Sequence, residues 1–296
     1  MAASTPPIRY CLDGRWLAAG EPAFAPTSGL VTAGEGWFET LRVEAGRPMF
    51  LKAHLERLAR SVAQGLGEEQ AERALVTARR CLAAMQPSFG DFPGGDGIPS
   101  GRLRLLLALD AEGEAWQALG EWGPHRSSAA SLDSGIDAVM ASFPHPGLGH
   151  LGKSASYHWS IAARREALAR GAGEALLARD GRVLEGSTGA LVWRRDGRWW
   201  TEGSDAVLAS VTLAELRAAG VGIAEGTLPV AALKADAAPV DGLVLVSALR
   251  LAVAIRAVDG LALPVDRALA AAAEWRGRLL ARHAQAGAHD PARGMA

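Results

Sequence analysis

The sequence predicts an α+β protein of two domains: a small N-terminal α/β domain over residues 1–133 and a larger C-terminal domain over 134–296, rich in antiparallel sheet. Three observations point there. The first half sets short apolar runs between turn signals ahead of two amphipathic helical stretches. The second half holds four short strands joined by Asp-Gly turns, the signature of an antiparallel meander. At 296 residues, with 49% apolar and 21% charged side chains, the chain can fill two cores of ordinary size.

Taken in order, RYCLDGRWLA and WFETLRVEAGRPMF read as strands that turn at Asp13-Gly14 and Ala45-Gly46. From Lys52 to Met85, Leu55, Leu58, Val62, Leu66, Ala74, Leu75, Ala78 and Leu82 keep approximate helical spacing, with a break near Gly65 to Gly67. Residues 87–101 are rich in Gly and Pro and read as a loop; RLRLLLALD (102–110) is a buried strand, and a weakly patterned stretch runs to 133. The second half opens with a strand at 135–143 and a helix from Ser156 to Ala169, ended by Gly171. The meander EALLARDGRVLEGSTGALVWRRDGRWWTEG follows, turning at Asp180-Gly181 and Asp196-Gly197. Thr212 and Glu215 form a capping box for a short helix, VDGLVLVS is a strand, and another helix is expected from Ala248. The tail from about 284 is expected to be disordered.

A net charge of -1 supplies no basic excess for nucleic acid or for an anionic membrane surface, so small-molecule chemistry is the better expectation. The first residues lack an apolar targeting region, and no run of about 18 apolar residues occurs, which points to the cytoplasm. Cys11 and Cys81 lack the spacing of a metal site and are read as buried small groups. More telling, only three of the 31 basic residues are lysines: Lys52, Lys153 and Lys234. Arginine cannot lose its proton near neutral pH, whereas lysine can act as a neutral nucleophilic amine.

Lys153 lies in GLGHLGKSASYH, whose first eight residues satisfy the phosphate-loop pattern G-x-x-x-x-G-K-[ST]. Pro144 and Pro146 interrupt the entry from the preceding strand, the one good magnesium aspartate, Asp110, lies upstream, and an antiparallel meander follows where a parallel sheet is needed. A serine-hydrolase reading fails because Glu185 stands where G-x-S-x-G needs glycine. What surrounds Lys153 suits another chemistry. Tyr157, four residues on, would return to the same side if the segment turns helically. Glu185, inside an apolar strand and on the face of Val183, is either an edge carboxylate facing water or a partner for a heteroaromatic nitrogen. Helix starts at Thr212 and near Ser247 offer N–H groups to a phosphate, and Arg57 could add charge. Amine, carboxylate and phosphate anchor are together what pyridoxal 5'-phosphate requires.

Three blocks also resemble the class IV aminotransferases, the group of branched-chain aminotransferase, D-amino-acid aminotransferase and aminodeoxychorismate lyase. GEGWFETLRVEAGRPMFLKAHLERLARS is similar to the family's G-x-G-x-F-E-T-x-R…H-L-x-R-L-x-x-S block. KSASY with EALLARDGRVLEGSTGALVW resembles its lysine segment and E-G-[ST] strand, and SVTLAEL with VSALRLAVAIRAVDG resembles its last block. The resemblance implies a fold-type IV architecture with a sheet or barrel in the larger domain, an active site between the domains, pyridoxal phosphate as cofactor, an amino substrate and a homodimer. By it Lys153 would carry the cofactor, Glu185 would face its ring nitrogen, Tyr157 its ring hydroxyl, and Arg57, Val211, Thr212, Ser247 and Ala248 its phosphate. Phe38, Arg42 and Arg104 are candidates for substrate, and Thr40 for a catalytic hydroxyl. The chain departs from the family pattern at Thr27-Ser28-Gly29, at Ala190, at Leu213 and at Ala108-Leu109-Asp110, where an arginine that grips a substrate carboxylate is expected. The FETLRV block and the S-A-L-R segment look closest to the lyase branch, which eliminates pyruvate and leaves p-aminobenzoate. A transaminase, and a cofactor-free binding protein on the same scaffold, are the alternatives.

Overall fold

The computed structural model describes residues 8–91, 100–125, 129–234 and 240–289. Two compact units emerge, the first from residues up to Arg126 together with Leu151–Ser156 and the last turn of the C-terminal helix from Ala286, the second from Ser127–His150 and Tyr157–Gln285. The division therefore falls before 133. The helix at Ala129–Ser134 (numbered α4 below) packs on a strand of the second unit, and the Lys153 segment is set apart from the sequence around it.

The first unit contains β1 (Arg9–Leu12), β2 (Arg15–Trp16), α1 (Gly29–Ala33), β3 (Trp37–Glu44), β4 (Arg47–Pro48), α2 (Leu51–Leu66), α3 (Glu68–Met85), β5 (Ser100–Leu109) and β6 (Trp116–Pro124). Its strands form one antiparallel sheet in the order β2-β1-β6-β5-β3-β4. The expected turns are present: Asp13 and Gly14, like Ala45 and Gly46, have positive φ, as tight hairpins of right-twisted strands require. Alternation along the strands divides the sheet. Leu41, Val43, Leu103, Leu105, Leu107 and Trp122 face α2 and α3, meeting Leu58, Val62, Ala78, Leu82 and Met85 in a fully buried core. Cys11 and Cys81 lie in that core as small groups, Cys81 Sγ donating weakly to the Cys11 carbonyl. Phe38, Thr40, Arg42, Arg102, Arg104 and Glu121 alternate with those core positions on the other face.

β6 lies inside the stretch that shows no clear pattern in sequence. Its inward positions, Trp116, Ala118, Gly120 and Trp122, do alternate, but two of them are too small to register as apolar. Gly120 is small because α3 comes so close: a Cβ there would be 2.0 Å from Met85 Sδ.

The second unit contains α4 (Ala129–Ser134), β7 (Ile136–Met140), α5 (His158–Ala169), β8 (Glu174–Arg179), β9 (Arg182–Gly186), β10 (Gly189–Arg195), β11 (Arg198–Thr201), α6 (Val211–Ala218), β12 (Ile223–Glu225), β13 (Leu228–Pro229), β14 (Gly242–Ser247), β15 (Leu251–Val258), β16 (Leu261–Ala262) and α7 (Asp266–His289). The meander is β8 to β11, antiparallel throughout and turning at the two Asp-Gly pairs. Six of the ten strands close on themselves in the order β10-β14-β15-β7-β8-β9, the β9–β10 pairing sealing the ring. The resulting barrel is filled by Leu176, Val183, Leu191, Trp193, Leu245, Val253 and Ile255.

Three expectations are corrected here. No helix starts at Ala248: the chain reverses in a three-residue turn, with Leu251 in the left-handed region (φ 61°), and returns as β15. Its first five residues, LAVAI, are buried on both faces, so their apolar pattern carries no period to separate strand from helix. Ser210, not Thr212, caps α6, its Oγ accepting from the Leu213 N–H at 3.2 Å. The tail expected to be disordered from about 284 is helical to His289, and residues 290–296 lie outside the described residues, as do 92–99 of the expected Gly/Pro loop. Among the described residues no helix is long and apolar enough to cross a membrane.

Replacing Gly120 by Val forces a three-carbon isopropyl group against α3, so the variant should be less stable by about 1–3 kcal/mol, read as a lower urea midpoint at unchanged slope.

Candidate active site

Lys153 is held by its backbone to the first unit. The segment Leu151–Ser156 runs beside the start of β3: the Phe38 N–H donates to the Lys153 carbonyl at 3.0 Å, Ser154 bridges Trp37, and the Ala155 N–H donates to the Gly36 carbonyl at 2.7 Å. From the other side Ser61 of α2 accepts the Lys153 N–H on its Oγ at 3.2 Å. Gly152 makes this approach possible, because it holds φ at +72° and a Cβ there would lie 2.1 Å from Ser61 Oγ. The segment is thus pinned to a sheet edge and does not turn helically as expected; α5 starts only at His158.

On the non-core face of the sheet the Lys153 amine sits 4.5 Å from the centroid of the Phe38 ring, and the Arg104 guanidinium lies 4.3 Å from the same centroid. Burial lowers the Arg104 pKa from its ordinary value, opposed by the charge of Glu121, and the group stays protonated. No carboxylate is paired with it among the described residues. Thr40 is directly opposite Arg104 in the β3–β5 ladder. Arg42, two residues further, is ion-paired with Glu44 at 2.5 Å. The structure therefore gathers Lys153, Phe38, Arg104 and Thr40 on one face and leaves Arg42 with a carboxylate of its own.

Behind this face lies a network that sequence reasoning missed. Glu39, fully buried, accepts from Arg57 Nε at 2.8 Å and Nη2 at 2.6 Å and is bonded to His54 Nδ1 at 2.7 Å. Burial alone pushes the Glu39 carboxyl up, but the Arg57 charge and the hydrogen bonds from His54 and Arg57 outweigh it and hold the group at about 2. Burial depresses His54 despite the pull of Glu39, so the ring stays neutral and donates to the carboxylate. Arg57, expected at a phosphate, thus has its charge matched by Glu39. Glu39, His54 and Ser61 were visible as the E, the H and the last S of the first quoted block, but nothing in the sequence joined them.

In the second unit Glu185 lies in β9 between β8 and β10, 5% exposed, so it is not an edge carboxylate facing water. The β8–β9 register slips at Leu177/Ala178, leaving Leu184 as the extra residue of a bulge. The alternation expected to place Glu185 on the face of Val183 is therefore broken, and the bulge aims it separately. Glu185 Oε1 is 2.8 Å from Nε2 of His145, whose ring stands edge-on to Trp159, and Trp159 in turn touches Tyr157. Beyond the E-G-S-T turn, buried Glu174 takes hydrogen bonds from Ser187, Thr188 and Arg250, tying that turn to the Ser247–Leu251 turn. Ser247 Oγ accepts from the Arg250 N–H at 3.4 Å, and Ala248 lies in the turn itself. Ser210 satisfies the Leu213 N–H, which leaves those of Val211 and Thr212 without partners inside the helix.

The model of amino-transferase class IV matches residues 36–258, and the chain belongs to this family. Class IV aminotransferases use pyridoxal phosphate, and the protein is a pyridoxal-phosphate-dependent aminotransferase or lyase. A bifunctional aminodeoxychorismate lyase / D-amino acid transaminase of Mycobacterium tuberculosis is 31% identical over 199 residues, 63% of this chain and 66% of that protein, slightly under two thirds of the relative's length. Among solved structures, a hypothetical aminotransferase from Mycobacterium tuberculosis in its PLP-bound form aligns at TM-score 0.77 and 26% identity, covering 93% of this chain and 100% of that one. The fold IV-transaminase CpuTA1 from Curtobacterium pusillum aligns at TM-score 0.71 and 26% identity, covering 93% and 98%. The donor chemistry here fits the cofactor: a primary amine at Lys153, a buried carboxylate at Glu185, and helix N–H groups at Val211 and Thr212 for an anion.

The Glu39 network makes the first unit sensitive to acid. Its carboxyl, held at about 2 against an ordinary 4.5, contributes stability that is complete above 4.5 and lost as pH falls through 2, about 3 kcal/mol in all. His54 acts in the same direction below its ordinary 6.5, where the unfolded imidazole takes a proton and the buried one resists it. Urea stability of the protein should therefore decline steadily from about pH 6.5 downward. Glu39→Gln should flatten the acid limb while costing about 3–5 kcal/mol at neutral pH, because Arg57 is left buried and unmatched.

Proposed function

We propose that this enzyme is an aminodeoxychorismate lyase, releasing pyruvate and p-aminobenzoate from 4-amino-4-deoxychorismate in the cytoplasm as a homodimer. The observation that carries the reading is the cluster on the non-core face of the first unit's sheet. There a lysine amine and a half-buried guanidinium share the ring of Phe38, with Thr40 across the ladder from that guanidinium. A substrate with carboxylates and an ether-linked leaving group would use all three.

In this reading Lys153 accepts the proton from the substrate Cα and can return it, while Arg104 orients a substrate carboxylate in place of the arginine absent at Leu109. Thr40 hydrogen-bonds the departing oxygen, and Phe38 closes the amine's surroundings to water. Glu185 would keep a proton on the ring nitrogen of the cofactor, and the N–H groups of Val211, Thr212 and Ala248, with the Ser247 hydroxyl, would hold its phosphate; Arg57 would contribute a donor there, not a net charge, because Glu39 answers its charge. Tyr157 meets the ring hydroxyl. When bound, pyridoxal phosphate supplies a conjugated acceptor for the electrons left at Cα.

A second reading, an amino-acid transaminase, is supported by the M. tuberculosis relative, whose name includes D-amino acid transaminase. Lyase and transaminase share every residue role up to loss of the Cα proton, and diverge only in whether an amino-group acceptor is consumed.

The purified protein should take up pyridoxal phosphate and turn yellow, and borohydride should fix the cofactor on the peptide containing Lys153. A protein that stays colourless would leave only the binding-protein alternative. Given aminodeoxychorismate and no keto-acid acceptor, pyruvate should accumulate; turnover that appears only on adding an acceptor would establish the transaminase instead. Arg104→Gln should raise KM by about tenfold or more, as expected for a lost hydrogen bond to a charged group, with little change in cofactor uptake.

A further inference from the structure

We propose that His145 is a positioning residue for Glu185. As a neutral ring it donates its Nε2 proton to Oε1, and the peptide N–H of Gly147 fixes which nitrogen carries that proton. This rests on the reading of Glu185 as the carboxylate that faces the cofactor's ring nitrogen.

The tautomer follows from hydrogen-bond direction. The Gly147 N–H lies 2.9 Å from His145 Nδ1, and a peptide N–H can only donate, so Nδ1 must be an acceptor without a proton. The ring's single proton then sits on Nε2, 2.8 Å from Glu185 Oε1. Local sequence enforces the arrangement. Pro146 keeps His145 extended, and the His145 N–H is bonded to the Ala178 carbonyl of β8 at 2.8 Å. Arg179 Nη1 clamps the Pro146 carbonyl at 2.7 Å. Gly147 adopts φ +74°, and a Cβ there would collide with that same guanidinium at 2.2 Å. The Trp159 ring, edge-on at 4.8 Å, closes the remaining side, and the imidazole is 2% exposed. The P-H-P-G run before the lysine, legible in sequence only as a turn, is therefore the mount of a histidine.

A neutral donor suits a carboxylate that has a second partner to meet. An arginine in this place would orient Glu185 but also cancel its charge. A neutral imidazole occupies one oxygen, fixes the plane of the group, and leaves the full negative charge for a protonated pyridine nitrogen.

Side-chain ¹⁵N spectra of the full-length protein before cofactor is added, with His145 assigned by its loss in His145→Gln, should show a pyridine-type Nδ1 and a pyrrole-type Nε2. The opposite tautomer, or an imidazolium at neutral pH, would overturn the inference. In pyridoxal phosphate titrations, His145→Phe should raise the Kd about tenfold, and His145→Gln, which keeps an N–H donor, should recover most of it. In a Glu185→Gln background His145→Phe should change nothing further. Equal losses in both backgrounds would mean that the ring merely packs, and the proposal would fall. A protein that takes up no pyridoxal phosphate at all would defeat the enzyme reading instead, and the ¹⁵N spectra alone would then decide the His145–Glu185 bond.

Discussion

A carboxylate that water cannot reach has to be answered from within the protein, and in the first unit that obligation falls on α2. Glu39 points into the core from β3, and both groups that satisfy it, His54 and Arg57, come from one helix, one turn apart. The pairing fixes α2 in rotation and height against β3. One further turn along, Ser61 emerges at a determined place, where it bonds the Arg57 carbonyl and receives the Lys153 N–H. Placement of Lys153 thus descends from a buried charge: carboxylate, helix, hydroxyl, peptide.

The second unit reaches a comparable result through backbone geometry. Closing six strands into a ring constrains each of them on two sides, so a residue can be re-aimed only by breaking the ladder locally. The bulge at Leu184 does this just before Glu185. Glu174 then fastens the two turns on either side, Ser187–Thr188 and Ser247–Leu251, and the left-handed Leu251 shows that the second of these is held in a conformation that a leucine would not choose, at a cost of about 1–2 kcal/mol.

What could be read from the sequence was local. Asp-Gly pairs and Ala45-Gly46 marked four turns correctly, the spacing of leucines marked α2 and α3, and the scarcity of lysine singled out Lys153. A carboxylate inside an apolar run singled out Glu185. What escaped was set by distant partners or by missing contrast. β6 hid because Met85 requires a glycine at 120, and β15 hid because LAVAI, apolar at every position, has no period. Arg57 was seen as a cation, but that Glu39 answers it is a fact about two residues 18 apart in sequence and on different elements. His145 escaped for the same reason, its partner lying 40 residues downstream.

The seat of Lys153 has a bearing on the edge of the sheet as well as on the amine it holds. β4 pairs with β3 only at Val43 and Glu44, so the far end of that long strand would present unpaired backbone to any other chain. The peptide from Lys153 to Ala155 covers that end, through the carbonyl that takes the Phe38 N–H and the bridge at Trp37. Elsewhere the outermost strands β2, β4, β12, β13 and β16 are two or three residues long, two of them carrying proline. The hydrogen bonds that deliver the lysine are also those that blunt a sticky edge, so selection for a soluble sheet and selection for a placed amine act on the same few atoms.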